Sequence, residues 1–193
     1  AQLLMITGPI EEARLHMDRI MEIEPYFWVM HNLNAWIYYF EGRHKEAVEA
    51  CHRAMELKDD WIFTKWLLFI NYAKLGDGEN AVNAMIDIAV SHKAGKNFEN
   101  DIKEFYKKRG ISGLFEWLTE VNIKSPIPVV GLSGDNFFVS WWYAILGNRE
   151  KSLQFLEKNM ESQSRNYTFF NLICTNPDFD IPRLYNLFEM VHV

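Results

Sequence analysis

Glycines stand at positions 8, 42, 76 and 110, each 34 residues after the last, and a fifth, Gly147, follows 37 residues later. The chain has only ten glycines, and four of them obey one register. Four residues before each of the last four glycines stands a tyrosine: Tyr38, Tyr72, Tyr106 and Tyr143. In the first copy that place is Leu4. Five residues after the glycine come Ala13, Ala47 and Ala81, then Phe115 and Ser152. A fixed period of roughly 20 to 50 residues marks a stacked array of small units, none of which can bury its apolar face alone.

The stretch YYFEGRHKEAVEACHRAMEL, residues 38 to 57, shows what one unit contains. Gly42 closes a first helix, where a left-handed backbone carries no side-chain penalty. Tyr38 ends that helix and presents a large ring to a neighbouring one. The small residue five places after the glycine belongs where two helices cross closely. The second helix then carries Ala47, Val48, Cys51, Ala54, Met55 and Leu57 at helical spacing, with Lys45, Glu46, Glu49 and Glu56 on the other face.

This 34-residue helix–turn–helix resembles the tetratricopeptide repeat. Residues 28–61 carry the resemblance best, with Ala35, Tyr38, Gly42, Ala47, Cys51 and Ala54 on the family's packing positions and Pro25 where a proline often follows the preceding helix. The resemblance implies an all-α, right-handed superhelical solenoid of about five hairpins over residues 1–163, with copies near 1–27, 28–61, 62–95, 96–132 and 133–163. Residues 164–193 break the period and are expected to cap the array, since a stacked array needs an atypical end. The first copy lacks most of its first helix. The fourth departs from the pattern, with Phe115 in the small-residue place and Thr119 and Asn122 where apolar groups are usual. Between copies four and five, SPIPVVGLSGD (125–135) cannot form a regular helix. Its Ile127, Val129, Val130 and Leu132 predict a segment lying across the array.

A second resemblance lies near the end. YAILGN, SLQFLEK and NPDFDIPR followed by LYNLF are similar to the close of repeat domains attached to bacterial transcription regulators and nucleotide cyclases. The chain starts AQLLMITGP, without Met. Together these lead to the expectation of a C-terminal fragment of a larger bacterial regulatory protein, in the cytoplasm.

Motifs for chemistry are lacking. No two of the six histidines share the three- or four-residue spacing of a metal face, and no Cys-x-x-Cys, P-loop, Gly-x-Gly-x-x-Gly or Gly-x-Ser-x-Gly occurs. His31 falls on a packing position, whereas His44 and His52 read as solvated. Cys51 and Cys174 are too few for a disulfide framework, and Cys51 reads as inert core. A net charge of −6 argues against direct nucleic-acid binding, which needs a basic face. No uninterrupted apolar run is long enough for a membrane span. The expectation is a non-catalytic chain with no metal and no cofactor.

Aromatic residues make up 15% of the chain, and such a surplus must be buried or displayed for contact. In the family it resembles, the first helices of successive hairpins line a concave groove. Those positions carry Asn32, Trp36 and Tyr39 in the second copy and Phe63, Trp66 and Ile70 in the third. Asn100 follows in the fourth copy, with Phe137 and Trp141 in the fifth. This aromatic wall suits an apolar segment of a partner protein or peptide, or a tethered domain of the same chain. The positions where some relatives hold a peptide carboxylate lack basic residues here, which disfavours anion capture. Three alternatives stay open: the rings are covered by 125–135 or by the tail, the chain forms a homodimer or other homo-oligomer, or an enzyme site is built around SPIPVVGLSGD.

Overall fold

The computed structural model describes residues 10–91, 97–124, 136–161 and 178–179, without the side chains of 122, 124, 137 and 159–161. Among the described residues every regular element is an α-helix: α1 (Ile10–Ile23), α2 (Trp28–Phe40), α3 (His44–Leu57), α4 (Ile62–Lys74), α5 (Gly78–Ser91), α6 (Asn97–Lys124), α7 (Asn136–Ile145) and α8 (Arg149–Glu161). Residues 125–135, expected to cross the array, lie outside the described residues, as does the capping segment apart from Asp178 and Phe179.

The glycine–tyrosine spacing has a hydrogen-bond cause. Gly42 N–H donates to the Tyr39 carbonyl at 3.0 Å, and Arg43 N–H reaches back to the Tyr38 carbonyl at 2.8 Å. The same pair of bonds recurs at Gly76 and Asp77 (to Ala73 and Tyr72), and at Gly147 and Asn148 (to Ala144 and Tyr143). This is a Schellman cap, in which the left-handed residue lies four places after the residue whose carbonyl is recaptured. The glycine φ values are 71°, 74° and 72°. Asp77 and Asn148 then cap the next helix, accepting from the N–H of Asn80 and Lys151, each at 3.2 Å.

These caps fold α2 onto α3, α4 onto α5 and α7 onto α8. The fourth glycine acts differently. Gly110 has φ 65° and ψ −162° and breaks α6 without leaving helix on either side. The two arms fold together: Trp117 lies 4.9 Å from Phe98 and 5.0 Å from Phe105, ring to ring.

Two sequence columns run through the second helices. Ala13, Ala47, Ala81, Phe115 and Ser152 are all buried, and so are Met17, Cys51, Met85, Thr119 and Leu156. Ser140 Oγ donates to the Ser152 carbonyl at 2.7 Å, which shows how closely α7 and α8 approach. Three of the four repeated tyrosines reach back to the preceding second helix, whereas Tyr143 stacks on Phe155 of the following α8 at 5.6 Å. Tyr38 lies under the Arg14 guanidinium of α1 at 3.9 Å, Tyr72 Oη bonds His52 of α3 at 2.9 Å, and Tyr106 covers Gly78 at the start of α5. Arg14 also forks onto Glu41 at 3.0 and 2.8 Å, fastening α1 to the end of α2.

The result is a serial core. One buried cluster runs from Ala35 to Leu156 and includes Phe179. A smaller one under α1, made of Ala13, Met17 and Ile37, joins it through Trp36 and Phe40.

Candidate functional site

The aromatic residues expected on the first helices of the hairpins come together as rings. Trp36 of α2 lies 5.7 Å from Trp141 of α7, and Tyr39 lies 5.9 Å from the same indole. Trp66 of α4 lies 5.2 Å from Trp142, and Phe63 lies 6.4 Å from Phe138. Helix α7 therefore reaches both α2 and α4 through its side chains. Such tilted pairs add about 0.5–1.5 kcal/mol each beyond the area they bury.

Burial separates the sequence-predicted residues. Tyr39, Trp66, Ile70 and Trp141 are buried, and Asn32 is buried with its Nδ2–H on Thr64 Oγ1 at 2.7 Å. Trp36 and Phe63 are half-buried, and Asn100 is exposed on α6. The side chain of Phe137 lies outside the described residues. In this conformation much of the wall is thus filled by the chain itself, chiefly by Trp141 and Trp142.

The polar end of the wall holds a carboxylate. Asp178 accepts from Tyr39 Oη–H and from Trp141 Nε1–H (2.9 Å), both on Oδ2, and its Oδ1 pairs with Lys74 Nζ. The Asp178 side chain is 5% exposed and that of Lys74 28%. Phe179, the next residue, is buried in the main core cluster. Behind the site, His44 Nδ1 bonds Asn71 Oδ1 at 2.9 Å, and its ring lies 5.8 Å from that of Tyr39. His44, expected to be solvated, is therefore a half-buried, partnered side chain. His31, expected on a packing position, bonds the Pro25 carbonyl through Nε2 at 2.7 Å.

The expectation that this face disfavours anions needs correction. The cation does not occupy a groove-row position; it comes from Lys74, at the C-terminal end of α4. The signal was in the sequence, because Phe63, Trp66, Ile70 and Lys74 follow one another at spacings of three, four and four. Asp178 carried no such signal, since it pairs with Lys74 across 104 residues and with Tyr39 across 139.

Cys51 is fully buried, and burial pushes its thiol well above the ordinary range, which keeps it protonated and unreactive. Among the described residues no group of three or more His, Cys, Asp or Glu side chains is placed to hold a metal ion. No described helix is long and apolar enough to cross a membrane. The SPIPVVGLSGD stretch, where an enzyme site was the remaining expectation, lies outside the described residues. No family model, curated protein or solved structure matches the chain.

Proposed function

We propose that the chain is a non-catalytic protein-interaction module of tetratricopeptide type, a right-handed superhelical array that receives a segment on its concave aromatic face. One observation carries this reading. Tyr39 of α2, Lys74 of α4 and Trp141 of α7 converge on the Asp178 carboxylate, and Phe179 beside it is buried in the core cluster, although neither residue belongs to a described hairpin. Large rigid rings beside a few directional polar groups are what anchor partners at protein interfaces. The similarity of residues 143–188 to the ends of regulator-attached domains supports placing the module in a larger, cytoplasmic bacterial regulatory protein. The module binds neither membrane nor nucleic acid and needs no cofactor.

The test uses the two half-buried wall rings. A photo-cross-linking amino acid in place of Asn100, on the exposed side of α6, should mark a defined partner peptide. Trp36→Ala with Phe63→Ala should abolish that adduct while the helical circular dichroism persists. The same adduct from a folded double variant rules the face out.

A second reading, homo-oligomerisation, is favoured by an apolar edge. Ile23 (76% exposed), Tyr26 (84%) and Phe27 (47%) stand near the α1–α2 turn, and Trp61 of the α3–α4 turn touches Trp28 at 5.3 Å. A mass that stays monomeric as concentration rises excludes this reading.

A further inference from the structure

The donors around Asp178 define a ligand chemistry. Tyr39, Lys74 and Trp141 sit on three different helices, and each directs an N–H or O–H at one side-chain carboxylate. Two of the three donor residues are buried, so water competes poorly for the oxygens, and charge-assisted bonds in such surroundings are the strong ones. The adjoining apolar volume takes the ring of Phe179. A carboxylate followed at once by an aromatic ring meets both halves of the site. An amide would lose the ion pair with Lys74, and an aliphatic residue in place of Phe179 would lose ring area.

We infer that this corner of the concave face is a recognition site for an acidic–aromatic dyad in a segment of a partner protein, and that Asp178–Phe179 is the internal occupant which that segment displaces. The inference rests on the interaction reading above and gives it a ligand class. The internal dyad lowers apparent affinity by the fraction of time it holds the site, so removing it should tighten binding without any new contact.

The experiment uses the full chain and a fluorescein-labelled peptide of residues 175–182, TNPDFDIP, read by anisotropy. In the vacated chain (Asp178→Ala with Phe179→Ala) the peptide should bind at least tenfold more tightly than in the unaltered chain. It should also bind at least tenfold more tightly than the same peptide with Asn in place of its first Asp. Lys74→Met in the vacated chain should weaken binding and flatten its dependence on salt, because the screened ion pair is then gone. A folded vacated chain that ignores the peptide, or that takes the Asn peptide equally well, overturns the inference. So does a vacated chain that loses its helical dichroism, since the dyad would then be a fixed part of the core rather than an exchangeable ligand. If peptide binding fails while the Asn100 adduct still depends on Trp36 and Phe63, the interaction reading stands and only the dyad chemistry falls.

Discussion

The hairpin α2–α3 and the folded α6 share one glycine register but fill it in opposite ways. In α2–α3 the second-helix place is Ala47, fully buried, and the matching first-helix residue is Ala35, also fully buried. In α6 the second-arm place is Phe115, whose ring lies 4.9 Å from Phe69 of α4. The first-arm residue matching Ala35 is Lys103, which points to solvent and pairs with Glu99 at 2.5 Å. One arm withdraws a side chain where the other inserts a ring. Interiors are close-packed, so a place that takes an alanine methyl in one unit and a phenylalanine ring in the other must have different neighbours. A substitution that looks like decay of the repeat is thus a different solution to the same packing problem. The first arm also turns Asn100 and Glu104 outward, where Glu104 pairs with Lys108. Helix α7 meets Trp36 and Tyr39 of α2 and Phe63 and Trp66 of α4.

Exchanging the two solutions should break each. Phe115→Ala is expected to cost about 3–5 kcal/mol, the range for truncating a core phenylalanine. Ala47→Phe should cost about 3 kcal/mol by overpacking, because Ala47 and its counterpart Ala35 are both fully buried. Urea midpoints at unchanged m-values measure both. If Ala47→Phe proves neutral, the two units do not differ in packing at this place.

The glycines sharpen the contrast at lower cost. A Cβ at Gly42 or at Gly110 meets nothing within 4 Å, so only backbone strain is tested at either site. Gly42 occupies the left-handed cap position that other residues tolerate for about 1–2 kcal/mol. Gly110, at φ 65° and ψ −162°, lies in a region that essentially only glycine enters, at up to about 3 kcal/mol for another residue. Gly110→Ala should therefore lower the melting temperature more than Gly42→Ala, and equal shifts would show that the α6 turn relaxes into an ordinary cap.

The smallest effect separates Cys51 from Thr119, which occupy one register. Thr119 Oγ1–H donates to the Phe115 carbonyl at 2.7 Å, so its buried hydroxyl is satisfied. Cys51 is kept neutral by burial, with its folded pKa raised. Above the unfolded thiol's pKa of about 8.5 the unfolded chain releases a proton that the folded chain retains. The stabilisation from burying the neutral thiol is therefore complete below that pH and falls by about 1.4 kcal/mol per pH unit above it. Urea unfolding between about pH 7 and 10, compared with Cys51→Ala in a Cys174→Ser background, checks the sign. Identical slopes for the two chains would contradict it.

Much of the fold was legible because its cues are local. The three Schellman caps, the tyrosines Tyr38, Tyr72 and Tyr106 and the two buried second-helix columns all follow from the recurring glycine–tyrosine pattern. The site was legible only in part. Trp36, Tyr39, Phe63, Trp66 and Trp141 were placed on one face, and the structure does bring them or their neighbours into ring contact. Their degree of burial was not readable, nor was the pairing of Lys74 with Asp178, because these contacts join residues roughly 75 to 105 positions apart.

By itself, then, the sequence determined the unit: where each helix stops, which small or apolar residue faces its partner, and that the units lean on one another in series. Those choices are made by hydrogen bonds and side chains within about six positions of one another. Only the tertiary structure decided that α7 meets both α2 and α4, that Phe115 packs on Phe69 while Lys103 faces solvent, and that Asp178 rests on Tyr39, Lys74 and Trp141. Such contacts depend on the rotation from each unit to the next, a sum of small packing angles that no single stretch of residues encodes.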